Sequence, residues 1–259
     1  MSKCKTSPEV GGMGHSVKRK EDARFIRGEG TYVDDIVRPG MVFMDIVRSP
    51  YAHAKIKSIN AEKALALPGV VAVITGETLK EYNLHMMPTL MSDTQMVLPI
   101  DKVCYQAQEV AAVIATDRYS AADGVELVEV EYEPLPVVVD PHKATDPDAP
   151  IIRDDKEGQT SNHIWHWEEG DKEGTEEVFQ NSDVVIKEKI YIPRIHVASI
   201  ETCGCVSEFD KANGKLTVWM TTQAPHAIRT VLALVAGHVG LQEDKIRVIS
   251  PDIGGGFGG

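Results

Sequence analysis

The stretch QEVAAVIATDRYSAADGVELVEVEYEPLPVVVD, residues 108–140, decides the fold. Its first part, 108–116, is an apolar run of strand length. Asp117 is placed to cap a helix over 118–129, with Ala121, Ala122, Val125 and Leu127 or Val128 along one side. The segment 131–140 reads as extended again, bent by its prolines. Working towards the amino terminus, VVAVIT (70–75) is a second apolar strand. Pro68-Gly69 stops a short helix over 61–67 that Asn60 can cap. Before it, AKIKSIN (54–60) alternates, with Ile56 and Ile59 nearly in phase. MVFMDIVR (41–48) places Val42, Met44 and Ile46 on one face. Gly76 to Leu79 opens a short turn. Residues 80–101 read as irregular, and the methionines at 86, 87, 91 and 96 suit packing of an uneven core better than ligand contact. These elements predict a mixed α/β domain over 20–140, preceded by a flexible arm over 1–19.

Towards the carboxyl terminus, 141–181 reads as a connection, rich in proline and acidic residues. Trp165 and Trp167 share a face if extended, as a covering strand or, less favoured, a partner surface. Thr175 to Asn181 suits one or two helical turns. A second unit, 182–259, begins with the alternating segment SDVVIKEKIYIP (182–193). A hairpin is expected from 204–210, the Asn213-Gly214 turn and 215–222. Pro225 opens a helix to about Val239, with Ala227, Val231, Leu234 and Val235 near one stripe. KIRVISPDI (245–253) is a strand that enters GGGFGG.

Of the 259 residues, 42% are hydrophobic and 25% charged, which is too apolar for a disordered chain. A net charge of −12 argues against broad nucleic-acid binding, which needs a basic footprint. Only the first 30 residues run basic, as a soluble tail or a docking arm. No run of about 18 apolar residues suggests a membrane span, and the start lacks an apolar signal core. Four scattered cysteines are too few for a disulfide framework. The default expectation is an intracellular chain.

Three motifs carry candidate chemistry. Gly254, Gly256 and Gly259 have GxGxxG spacing, but neither the following helix nor the ribose carboxylate of a dinucleotide site lies within the sequence. A tight turn explains the spacing as well. In TTQAPHAIR (221–229), Gln223 sits between a strand and a proline-started helix, where a carboxamide can donate and accept without titrating. His226, in the first helical turn, is not assigned as a base. In RIHVASIETCGCVSEFD (194–210), His196, Glu201, Cys203 and Cys205 match no compact zinc pattern. A satisfied polar pair and two buried thiols are the preferred reading.

Several segments together resemble the amino-terminal part of the large, molybdenum-binding subunit of the xanthine oxidase family of molybdenum hydroxylases. They are EDARFIRGEGTYVDDI (21–36), RSPYAHAKIKSI (48–59), LPGVVAVITG (67–76), ELVEVEYEPLPVVVDP (126–141), ETCGCV (201–206), QAPH (223–226) and DIGGGFGG (252–259). The resemblance spans about residues 14–259. HMMPTLMSD (85–93) and GDKEGT (170–175) point towards the family's carbon monoxide-oxidising branch.

The resemblance implies an α/β hammerhead domain followed by the incomplete start of a molybdopterin-binding domain. It implies that Gln223 lies by an oxygen ligand of molybdenum, and that Gly255, Gly256, Phe257 and Gly258 contact the metal and its dithiolene. Phe257 would help shape a dry pocket. The implied cofactor is molybdopterin cytosine dinucleotide, with copper added in the carbon monoxide branch. Partners would be a medium FAD subunit, a small 2Fe-2S subunit and a second large subunit, with a small-molecule substrate and no nucleic acid. The expected location is cytoplasmic, with the full complex at the inner face of the membrane. The family's general-base glutamate and copper-holding cysteine are expected beyond residue 259, so no catalytic residue and no direct metal ligand is assigned here. Glu201, Cys203 and Cys205 are not promoted into those roles. The isolated chain is expected to be inactive and cofactor-free. An aldehyde or N-heterocycle hydroxylase, and a noncatalytic assembly module, are the competing functions.

Overall fold

The computed structural model describes residues 18–89, 93–155 and 158–258. Met91, most of the 1–19 arm and Gly259 fall outside these. In chain order the elements are α1 (Asp22–Phe25), β1 (Phe43–Arg48), β2 (Ala54–Asn60), α2 (Glu62–Leu65), β3 (Val70–Thr75), α3 (Gly76–Glu81), β4 (Met86–Pro88), β5 (Thr94–Met96), β6 (Lys102–Val103), β7 (Glu109–Ala115), α4 (Arg118–Leu127) and β8 (Glu129–Pro134). After a long connection come α5 (Lys172–Gln180), β9 (Cys205–Asp210), β10 (Lys215–Met220), α6 (Pro225–Ala236) and β11 (Ile246–Ile249).

The first unit is built around β7. This strand pairs antiparallel with β1 and β3 in the order β1-β7-β3, and a second antiparallel sheet has the order β6-β2-β8. Val110 packs with Ala54 and Val103 of the second sheet. On the other face of β7, Val113 meets α4, where a Cβ at Gly124 would stand 2.8 Å from Val113 Cγ1. Burial on both faces explains why 109–115 reads as a continuous apolar run. Each fully buried valine there contributes about 1.5–3 kcal/mol.

The local signal at Asp117 acts as read. Asp117 Oδ1 accepts hydrogen bonds from the backbone of Tyr119 (3.0 Å) and Ser120 (2.9 Å) at the start of α4. Asn60 is not the cap expected of it: the short helix starts at Glu62 with Ala61 at the cap position, and the Asn60 side chain accepts from Glu62 N–H at 3.0 Å from one residue further out. Ile56 and Ile59 are three apart, yet both pack against the same core, because a register shift between Ile56 and Ser58 absorbs one residue.

Several expectations are corrected. Met44 is exposed, and β1 instead buries Val47. Residues 80–101 contain the β4–β5 hairpin, with Met86 opposite Met96. Residues 164–171 form no strand, and Trp165 and Trp167, 44% and 63% exposed, stack their rings on each other at 6.4 Å. Residues 182–193 form no strand either, and Val184, Ile186, Ile190 and Ile192 are exposed. Alternation sets which face a strand would bury, but a strand also needs a backbone neighbour, and no described segment supplies one. Along α6, Ala227 and Leu234 face outward while Val231 and Val235 are half-buried.

The connection is tied to the first unit. Arg153 pairs with Asp93 and donates to the Thr94 carbonyl at 2.6 Å, and Lys102 pairs with Asp154, while within the connection Asn162 donates to the carbonyls of Ala144 and Pro150, both at 2.9 Å. Among the described residues no helix is long and apolar enough to cross a membrane.

In the second unit the sheet order is β11-β10-β9, with β10 parallel to β11 and antiparallel to β9. Gly214 turns the β9–β10 hairpin at φ +62°. The segment 24–38 of the first unit crosses to this sheet. Arg38 pairs with Glu208 at 2.7 Å and lies over the Trp219 ring at 5.4 Å.

Candidate cofactor wall

Three loops leave one edge of the second sheet. The β10-α6-β11 crossover makes β10 and β11 parallel, so their carboxyl ends lie side by side, with Trp219 opposite Ile249. Such an edge is where open α/β sheets hold ligands. Beyond it run residues 221–224 and 250–258. Because β9 is antiparallel, its first residue, Cys205, faces Met220 at the end of β10. Residues 199–204 therefore arrive at the same edge. Thr221 N–H donates to the Gly204 carbonyl at 3.1 Å, and Ser250 Oγ donates to the Thr222 carbonyl at 2.6 Å.

These loops bring Gln223 against the glycine run. A Cβ at Gly256 would collide with the Gln223 amide nitrogen. Gly255 holds φ +121° and Gly258 φ +82°, conformations that side chains rarely adopt. Open space stands where a side chain of Gly258 would be. The run is thus a cradle of bare backbone beside a neutral carboxamide, which suits a polar, oxygen-rich group held by N–H donors. Phe257 also has positive φ (+49°), and its ring folds back over Gly255. Phe257 is 78% exposed, so the expected dry pocket is not enclosed by the described residues.

Two carboxylates stand behind the cradle. Glu201 Oε2 accepts from Gly254 N–H at 2.6 Å, and Oε1 accepts from Thr221 Oγ1 at 3.2 Å and Val33 N–H at 3.4 Å. Asp252 is gripped by the Arg24 guanidinium through both oxygens and accepts from Thr31 N–H at 2.8 Å. The Arg24 hydrogen bonds hold the Asp252 carboxyl below the usual carboxylate range.

The pairing expected of His196 and Glu201 is not found, since His196 is exposed and the Glu201 oxygens are engaged elsewhere. Cys203 and Cys205 are free and exposed rather than buried. Although the Cys205 residue is exposed at the surface, partial burial of its thiol raises the thiol pKa, away from a reactive thiolate. His226 is exposed on the first turn of α6. Among the described residues no group of three or more His, Cys, Asp or Glu converges as a metal site. Arg24, Thr31 and Asp252 were not singled out from the sequence. Asp252 stands two residues before Gly254, the first of the glycine segment, but nothing local announces a partner 228 residues away.

The fold and the wall define a class. The chain belongs to the aldehyde oxidase and xanthine dehydrogenase family. Residues 27–136 match its a/b hammerhead domain and residues 155–259 match the molybdopterin cofactor-binding domain.

Among individual proteins, the chain is 57% identical over 256 residues to the carbon monoxide dehydrogenase large chain of Afipia carboxidovorans, covering 95% of this chain and 31% of that protein. It is 35% identical over 251 residues to the nicotine 6-hydroxylase large subunit of Paenarthrobacter nicotinovorans, covering 95% and 30%. It superimposes on the crystal structure of a Cu,Mo-CO dehydrogenase with a TM-score of 0.85 and 56% identity, covering 95% of this chain and 32% of that one. The chain thus spans about a third of the length of these relatives.

Proposed function

We propose that this chain is the amino-terminal section of the large subunit of a molybdenum hydroxylase complex that oxidises carbon monoxide. The overall reaction is CO + H2O → CO2 + 2H⁺ + 2e⁻, with the electrons passing to 2Fe-2S and FAD groups on partner subunits. The observation that carries the reading is the contact of Gln223 with Gly256, on a sheet edge that matches a molybdopterin cofactor-binding domain. The relatives named for carbon monoxide dehydrogenase favour that substrate over an aldehyde or N-heterocycle.

The molybdenum cofactor, proposed to be molybdopterin cytosine dinucleotide, supplies the two-electron redox chemistry when bound. Gln223 offers an NH2 donor group and a carbonyl acceptor that do not change charge with pH, so it can orient a polar ligand atom without exchanging protons. Gly255, Gly256 and Gly258 present backbone without a Cβ, which allows close approach. Phe257 offers an apolar ring at the rim. No residue of this chain moves a substrate proton in this account. Copper is proposed for the intact complex, and its ligand is neither Cys203 nor Cys205, which meet no other metal-ligating cluster among the described residues.

The test uses a large subunit containing this chain, co-expressed with flavin and iron–sulfur subunits. Expected are near-equimolar molybdenum and copper and oxidation of carbon monoxide. Turnover of an aldehyde or N-heterocycle without copper would reassign the substrate. Co-purification with the partners but without molybdenum or activity would favour an assembly module. The 259-residue chain by itself should retain no molybdenum, because Gln223 and Phe257 stand on an open surface. Stoichiometric molybdenum and turnover in that isolated chain would overturn the account.

A further inference from the structure

We infer that residues 24–33 of the hammerhead unit clasp the glycine run through Asp252 and Glu201, making Arg24, Asp252 and Glu201 positioning residues for the cofactor wall. The inference rests on the reading of that wall as the cofactor's seat.

The glycine run does not hold its own shape. Residues 250–258 belong to no strand or helix, and five of the last six residues of the sequence are glycine. Glycine loses more conformational freedom on ordering than any other residue, so the run needs outside anchors. The anchors lie immediately before it. Asp252 is tied to Thr31 in both directions, its N–H donating to the Thr31 carbonyl at 3.0 Å and its carboxylate accepting the Thr31 N–H. Its side chain is only 10% exposed, and the Arg24 fork occupies both oxygens. Two residues further on, Gly254 N–H is held by Glu201, whose other oxygen reaches Val33 N–H and Thr221 Oγ1. Gly254 has no room for a side chain, because a Cβ there would strike the Glu201 Cβ. The strap therefore presents Thr31 and Val33 N–H groups, two residues apart, to two carboxylates of the second unit. One carboxylate lies in the loop and the other beneath it.

An ordinary surface ion pair contributes little and would leave no local trace when removed. A clasp predicts a trace confined to the loop. Hydrogen–deuterium exchange on the 259-residue chain should show peptides covering 252–258 exchanging about tenfold faster in Arg24→Ala and in Glu201→Gln. Glutamine leaves only one oxygen to accept. Exchange in β7 should stay unchanged. Arg24→Lys keeps the charge but loses the fork, and should fall between wild type and Arg24→Ala. In the assembled full-length large subunit, molybdenum content per folded subunit should fall at least threefold in Arg24→Ala, with an unchanged melting midpoint. Unchanged exchange at 252–258, or faster exchange spread equally into β7, overturns the clasp. Faster local exchange with full molybdenum content overturns its role in holding the cofactor. A wild-type complex without molybdenum would sink the cofactor reading itself, while the exchange result would still decide the clasp.

Discussion

Gly256→Ala isolates the contact on which the functional reading rests. Gly256 does not hold positive φ, so its backbone admits alanine, and the obstacle is Gln223 alone. The new Cβ would fall on the amide nitrogen, with Cδ at 3.3 Å. That amide ends an exposed, flexible side chain, so it swings aside. A forced off-rotamer position costs about 0.5–1.5 kcal/mol. Replacing glycine with alanine at an admissible position returns about 0.4–1 kcal/mol through the unfolded chain. These nearly cancel, so stability should change by less than about 1 kcal/mol, or roughly 2–4 °C at most in melting midpoint. Function should respond differently, because the displaced amide no longer meets the cofactor. Loss of one neutral hydrogen bond is worth about 0.5–1.5 kcal/mol, or roughly 2- to 12-fold in affinity. The assay compares Gly256→Ala, Gln223→Ala and the double variant in the assembled complex, by molybdenum content and by turnover. The double variant should match either single one, since both remove the same amide. Two independent factors that multiply would refute the reasoning, as would destabilisation by Gly256→Ala well beyond 1 kcal/mol.

Asp117→Ala should destabilise the chain by about 1 kcal/mol, read as a lower urea midpoint at unchanged slope, because Asp117 caps α4 through two backbone N–H groups. Gly76→Ala should cost about 1–3 kcal/mol, because its Cβ would sit 2.7 Å from the carbonyl oxygens of Leu98 and Pro99, which are backbone and cannot swing away. The Asp252 carboxyl titrates below its ordinary value, so the stabilisation from the Arg24 pair is fully present above about pH 3.9 and is lost as pH falls through the depressed value. Exchange at 252–258 should therefore be insensitive to this group between pH 5 and 7, after correction for intrinsic rates, and accelerate only in stronger acid.

The strands and helices of the first unit were legible because their signals are local. Asp117 before a ten-residue helix, Pro68-Gly69 after a short one, and the apolar run of β7 each act through near neighbours. The segment 182–193 shows where such signals stop. Its alternation is strand-like, yet Ile186 and Ile190 stand in solvent, because pairing needs a second backbone that periodicity does not specify. Cys203 and Cys205 show the same limit for burial. Two residues apart, they share a face in any extended segment, but which face meets protein depends on what packs there.

At the candidate site, residue types and spacing marked Gln223 and the glycine segment separately, and the resemblance named the group they would meet. Their contact came from tertiary structure. The β10-α6-β11 crossover sets two strands parallel, and parallel strands deliver their loops to one edge. Arg24, Thr31, Val33 and Glu201 joined that edge only through folding. The Thr221–Glu201 bond spans 20 residues within the second unit, and the bonds from Arg24, Thr31 and Val33, which span 168 to 228 residues, follow from the packing of one unit on the other.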